Sequence, residues 1–314
     1  MSFELSVTEV ASLTKMDEML RDGKKPDNFQ PSLELMEAAL ELGLLYLLQA
    51  NKEYIPYNIV AEAAKKGFLD IVDWAMANGY HWDTWACAYA AMYGRLETLQ
   101  QLKKRGLPWN KNTCSAAARF GHLEVLHWAR SKGCEWDKNT CSDAALGGHL
   151  EVLQWARSQG CPWGKRVCRY AIGKGHLEVL KWAVENDCPH DNMYIDIVSA
   201  GNLEMLKWAV ERGYACDERT CCLAAYKGHL NILEYARDNM CPWNEYTCSE
   251  AVRGGNLEIL KWAREHGCPW DERTCYYAAG RGDLKTLFWA REHGCPWNEE
   301  ECLTLVRRVI KYQD

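Results

Sequence analysis

The chain has 314 residues, 48% of them apolar and 25% charged, the ordinary mixture of a protein with a packed core. A formal charge of −6 argues against nucleic-acid binding by the whole surface. The most apolar stretch, around Leu40 to Ala50, contains Glu41 and is too short to span a bilayer, and the first residues, with Glu4 and no basic start, lack a signal-peptide pattern.

From the N-terminus, Ser6 and Glu9 have capping-box spacing, and Val7, Val10, Leu13, Met16 and Leu20 line one face of the helix that follows. Residues 1–35 are therefore expected to cap what comes next. A degenerate helix pair around Ala38 to Ala50, with Gly43, Leu45 and Leu48, opens a series. The pattern Gly-x-Leu then recurs at Gly67, Gly94, Gly121, Gly148, Gly175, Gly201, Gly228, Gly255 and Gly282. The interval is 27 residues throughout, except for a shortened one between Gly175 and Gly201. Such a period marks a unit that cannot bury its apolar face alone and stacks on copies of itself. No linker interrupts it, so 36–297 reads as one elongated domain of about nine clear units and one degenerate one. Asn298 starts a last helix to Asp314, where Arg307, Arg308 and Lys311 give the polar outer face of a C-terminal cap, 298–314.

Trp136 to Trp163 shows how one unit is built. Asp137 is an N-cap, with Trp136 and Cys141 at the spacing of a hydrophobic staple. The first helix passes through small Ala144 and Ala145 and breaks at Gly147 and Gly148. The second carries Leu150, Val152, Leu153, Trp155 and Ala156 as an apolar stripe, with Trp155 read as core. Gly160 suits a left-handed C-cap, and Pro162 prevents continuation. Each unit is two short antiparallel helices.

The run T-C-x-x-A-A-x-x-G-H-L-E-V-L, as in Thr140 to Leu153, resembles the ankyrin consensus over roughly residues 60–300, with Cys141 where leucine is usual. The resemblance implies an all-α, ankyrin-like helix-turn-helix repeat solenoid. Its hairpin fingers are shortened or absent, because Gly160-Cys161-Pro162-Trp163 replaces the longer finger. This Cys-Pro-Trp form is similar to arrays encoded by large DNA viruses and unicellular eukaryotes. Binding by hairpin tips does not carry over.

The 16 cysteines fall mostly into two series, Cys87 to Cys302 at the helix slot and Cys134 to Cys295 after the turn. Equivalent slots on stacked units lie roughly 9–10 Å apart, beyond the ~7 Å limit for a disulfide. No C-x-x-C pair suggests zinc. Reduced, buried thiols and a cytoplasmic, reducing compartment are expected, the host cytosol if the chain is viral.

No carboxylate pair, phosphate-binding loop or nucleophile–base spacing stands out, so neither an enzyme nor a cofactor, metal or small-molecule substrate is expected. His122, His149, His176 and His229 share one slot with Asn202, Asn256 and Asp283, which points to turn hydrogen bonding. The least regular unit, Asn186 to Gly201, has His190 in a tryptophan slot and Asp187 in a glycine slot; a kink is the plain reading, a pocket or hinge the other.

The two residues before each repeat glycine hold seven basic residues and no acid among eighteen positions. In ankyrin-type folds this end of the first helix faces the concave surface. Lys66, Tyr93, Arg119, Phe120, Lys174, Tyr226, Lys227, Arg253 and Arg281 are the candidate partner-binding residues. Helix-dipole compensation explains the same charges equally well. The expected function is a non-enzymatic protein-interaction scaffold that offers a concave basic and aromatic surface to an acidic partner. The alternatives are a nucleic-acid-binding solenoid and a structural subunit of a larger assembly.

Overall fold

The structure, a computed structural model, describes residues 5–27, 29–214 and 216–311, the side chains of 310 and 311 excepted. Glu4, Asp314 and the side chain of Lys311, named above for the two ends, lie outside the described residues. Among the described residues there are α-helices, one 3₁₀ turn and no strand, so the chain is all-α and no hairpin finger is present there.

Contacts divide the chain into two compact units, one up to Val167 and one from Cys168. The first holds α1 (Val7–Arg21), α2 (Leu33–Leu42) with α3 (Leu45–Ala50), α4 (Ile59–Lys66) with α5 (Leu69–Ala77), and α6 (Thr84–Met92) with α7 (Leu96–Lys104). It continues with α8 (Lys111–Arg119) and α9 (Leu123–Ser131), then α10 (Lys138–Gly147) and α11 (Leu150–Ser158). The division falls inside α12 (Arg166–Lys174). The second unit contains α13 (Leu177–Glu185), α14 (Met193–Ala200) with α15 (Leu203–Glu211), and α16 (Glu218–Lys227) with α17 (Leu230–Asp238). After them come α18 (Glu245–Gly254) with α19 (Leu257–Glu265), α20 (Glu272–Arg281) with α21 (Leu284–Glu292), and α22 (Glu299–Lys311).

Within each unit the first helices of successive pairs pack side by side: α4 on α6 on α8 on α10 in one, α14 on α16 on α18 on α20 in the other. Each also packs on its own second helix. Close approach is possible because the facing positions are small: Ala117, Ala118, Ala144, Ala145, Ala224, Ala225, Ala278 and Ala279 are wholly buried. The caps are those the sequence predicts. Asp137 accepts from Asn139 N and Asp271 from Arg273 N, while Gly148 and Gly160 take the left-handed conformation that ends each helix. At the N-terminus the Ser6/Glu9 capping box is formed. Helix α1 packs on α3, and Asp17 Oδ1 accepts from Leu47 N at 2.7 Å. Its apolar face is shorter than predicted: Leu13 is buried, but Val7 is 87% exposed.

Two expectations need correction. Most tryptophans of the Trp-Ala pairs are not fully core: Trp155, Trp128, Trp262 and Trp289 are half-buried, Trp208 alone of the slot is buried, and the core is made by neighbours such as Leu153, Leu126 and Leu260. Each half-buried indole lies across the outer edge of the pair. The Trp before each N-cap meets it edge-on, as in Trp136 with Trp155 at 5.8 Å and Trp243 with Trp262 at 6.1 Å. A basic side chain from the preceding pair covers the first ring: Lys103 over Trp109, Arg130 over Trp136, Arg157 over Trp163, Arg237 over Trp243, Arg264 over Trp270 and Arg291 over Trp297, at 4.0–4.4 Å. The same side chains donate to the carbonyl just past their own helix, Arg130 to Cys134 O and Arg264 to Cys268 O among them. This latch has a sequence signature, R-x-x-x-C-x-W, that the periodicity alone does not reveal.

The second correction concerns the cysteines. Spacing between equivalent slots leaves out two other distances. The two series meet each other inside a unit, where the thiols of Cys114, Cys141 and Cys248 donate to the backbone carbonyls of Cys134, Cys161 and Cys268 at 3.9, 3.9 and 4.0 Å. Cys216, outside both series, is disulfide-bonded to Cys241 with Cα atoms 5.5 Å apart. The remaining cysteines form no disulfide, and all but Cys222 are buried. Burial pushes those of Cys87 and Cys221 up to about 12, so at neutral pH they behave as small apolar groups.

Candidate functional site

The shared histidine slot is structural. His122 Nε2 lies 2.9 Å from Met92 O and His229 Nε2 3.3 Å from Ser199 O, each binding the end of the preceding first helix. Asn256 Nδ2 does the same at Ala225 O and Tyr226 O, at 2.8 and 3.0 Å. Asn202 and Asp283 make the expected local bond, accepting from Met205 N and Thr286 N at 3.0 Å, whereas His122, His229 and Asn256 bond between pairs. Such close approach leaves no room for a side chain at Gly254, whose Cβ would collide with Tyr226 O.

These contacts fix the ends of the first helices, where the nine candidate residues sit. In the first unit Lys66 is engaged, its Nζ 2.6 Å from Glu41 Oε2. The neighbouring Lys65 pairs with Glu62 and lies 5.3 Å from the Tyr93 ring. Tyr93 and Phe120 are each 45% exposed, and Arg119 is exposed beside them in sequence. In the second unit Lys174 and Lys227 are exposed. Arg253 chelates Glu250 at 3.0 and 3.2 Å and stands 5.2 Å from the Tyr226 ring, with Lys227 5.6 Å from the same ring. Arg281 donates to Arg253 O at 2.8 Å, which is helix-end compensation of the ordinary kind.

Two of the nine are brought into one cavity. Tyr226 and Arg253 line a cleft of about 550 Å³ among α14, α16 and α18, together with Ile195, Glu218, Arg219, Cys222, Leu223, Asn244, Tyr246 and Glu250. Its negative groups are partnered: Glu250 by Arg253, and Glu218 by Asn244 Nδ2 at 2.9 Å. Arg273 covers Tyr246 at 3.8 Å from the ring centroid. Exposed Arg219 has no acceptor among the described residues. Cys222 sits in the wall, its thiol raised above its usual range by burial. The sequence reading missed Arg219, Cys222, Leu223 and Tyr246 because they lie on the first two turns of their helices, away from the repeat glycine. The available signal was the irregular unit itself, which places Ile195 opposite them.

Among the described residues no group of three or more His, Cys, Asp or Glu side chains could hold a metal ion, and no helix is long and apolar enough to cross a membrane.

No family model matches the chain, and no curated protein matches it. Among solved structures, the human ASB11 ankyrin repeat domain is similar over 56% of this chain and 96% of its own, at 15% identity and a TM-score of 0.45.

Proposed function

We propose that this chain is a non-enzymatic protein-interaction scaffold, and that the first-helix face, concave in ankyrin-type repeats, receives an acidic segment of a protein partner. The observation that carries the reading is the cleft among α14, α16 and α18, where exposed Tyr246 and half-buried Tyr226 share a lining with Arg219, an arginine with no carboxylate partner among the described residues. Aromatic and arginine side chains are the residue types that dominate protein interfaces. Tyr93, Arg119 and Phe120 in the first unit, and Lys174 and Lys227 in the second, carry basic and aromatic character at the corresponding ends of their own first helices, while Lys66 and Arg281 are held by internal partners and contribute charge rather than free donors. The sequence resemblance to ankyrin repeats, in a short Cys-Pro-Trp form, supports the same class of function. The cysteines that form no disulfide suit a cytosolic, reducing setting, and the Cys216–Cys241 bond is the exception.

The test is direct. A fluorescent peptide rich in aspartate and glutamate is titrated into the full chain and into a variant with Arg119, Lys227 and Arg253 changed to glutamate. Affinity is expected to fall at least tenfold while the melting curve is kept. Unchanged affinity at physiological salt overturns the reading. Tighter binding of a single-stranded oligonucleotide, lost steeply with salt, supports the nucleic-acid alternative in its place.

A further inference from the structure

The latch between pairs is missing at two successive junctions. At the positions where other pairs carry arginine and tryptophan, the chain has Val184 and His190, then Val210 and Cys216. Both junctions border α14, the irregular helix, whose N-cap Asn192 is itself forced into a left-handed conformation at φ 47°. His190 at the first junction turns instead to the far end of its own pair, where Tyr214 Oη lies 3.3 Å from His190 Nε2. At the second the sulfur in the tryptophan slot meets Cys241 and bonds to it.

We propose that Cys216 and Cys241 are a redox modification site, a reversible cross-link between the two ends of the α16/α17 pair that takes a low-molecular-weight disulfide as its oxidant. Three features fit this pair to thiol–disulfide exchange, the third of them shared with the other turn cysteines. Cys216 is half-buried, so a small disulfide can reach it, whereas Cys241 is buried behind it. The Cα separation of 5.5 Å is within the range a disulfide bridges without moving the backbone. Arg237 donates its guanidinium to Cys241 O, placing a positive charge that favours the thiolate.

The exchange balances in two displacements. The Cys216 thiolate attacks one sulfur of the small disulfide; the S–S bond breaks and one small thiol leaves. The Cys241 thiolate then attacks Cys216 Sγ, the mixed disulfide breaks and the second small thiol leaves. The two protons of the protein thiols end on the departing thiols, and the two electrons reduce the small disulfide. Excess reductant reverses both steps.

The consequence is local. Cys216 lies immediately before Asp217, the N-cap of α16, and Cys241 shortly before Asn244, the N-cap of α18. Oxidation therefore ties together the chain segments that lead into two walls of the cleft. Reduction leaves them joined there by the Asn244–Glu218 hydrogen bond and by packing.

The full chain is equilibrated across a series of oxidised-to-reduced glutathione ratios, acid-quenched, alkylated, digested and mapped by mass spectrometry, with melting and amide exchange followed in parallel. The 216–241 linked peptide is expected to form and disappear reversibly. The oxidised form should melt several degrees higher, and α16 amides should exchange faster when the pair is reduced. Cys216→Ser should melt alike at every ratio, at the temperature of the reduced chain. A pair that stays free in excess oxidised glutathione, or linked in excess reduced glutathione, overturns the proposal. So does a redox-dependent melting shift that survives in Cys216→Ser, or a linkage of Cys241 to Cys221 instead.

Discussion

Met240 occupies the slot that Gly160, Gly267 and Gly294 fill elsewhere, and it takes their left-handed backbone at φ 58° with its side chain 87% exposed. A β-carbon in that conformation costs roughly 1–2 kcal/mol, and an exposed side chain recovers little of it by packing. Met240→Gly should therefore stabilise the chain by about 1 kcal/mol, after allowing roughly 0.4–1 kcal/mol for the looser unfolded glycine. Denaturant midpoints measure this, and a loss of stability would mean that Met240 packs on something. Asp143 is a second case of local conflict. Burial raises its carboxyl above the usual range, against the pull of Arg119. A folded pKa above the unfolded one means that folding favours the protonated acid. That contribution is full below the unfolded value of about 3.9 and is lost as pH rises through the folded one. Asp143→Asn should accordingly raise the melting temperature at pH 7, with the gain shrinking as pH falls below the carboxylate range.

At the level of the helix pair, the division of labour between core and latch ranks substitutions differently from the apolar stripe alone. Leu153 is wholly buried between helices, so Leu153→Ala should lose about 2–5 kcal/mol. Trp155, half-buried with its ring centroid 4.1 Å from that of His127, should lose about 1–3 kcal/mol on change to alanine, less than a fully buried aromatic. Arg157→Ala removes a ring contact and the hydrogen bond to Cys161 O, together about 1–2 kcal/mol. Chemical denaturation of the three variants checks the order, and a larger loss at Trp155 than at Leu153 would return the indole to the core. The outer ion pairs Glu178/Lys181, Glu204/Lys207 and Glu258/Lys261 are formed at 2.8–3.0 Å but are exposed, and removing one should change stability by under about 1 kcal/mol.

For the molecule as a whole, the energetic unit is the junction between one pair and the next. A stack of this kind gains stability junction by junction and must cover its last apolar face. In the second unit α22 does this for α20: Cys302 is buried, and Val309 fills the space over Gly282. Deleting α22 should expose that face and convert a dispersed protein into an associating one, visible by light scattering and by a lower melting temperature. A monodisperse, equally stable truncation would show that α20 and α21 cover themselves.

The nine glycines, the caps and the small alanines were enough to specify repeated helix pairs, because capping and left-handed glycine are local chemistry that a short stretch of chain declares by itself. The basic and aromatic character at the helix ends was legible for the same reason. Which of those charges are free was not: Lys66 is held by Glu41 and Arg281 by the Arg253 carbonyl, partners 25 and 28 residues away. The arginine–tryptophan latch and the cleft at Tyr226 and Arg253 likewise depend on side chains from different pairs meeting across a junction, and the Cys216–Cys241 bond on the two ends of one pair folding back on each other. Repeat spacing gives the order of the pairs, but distance and direction between side chains on adjacent pairs are set only when the helices pack.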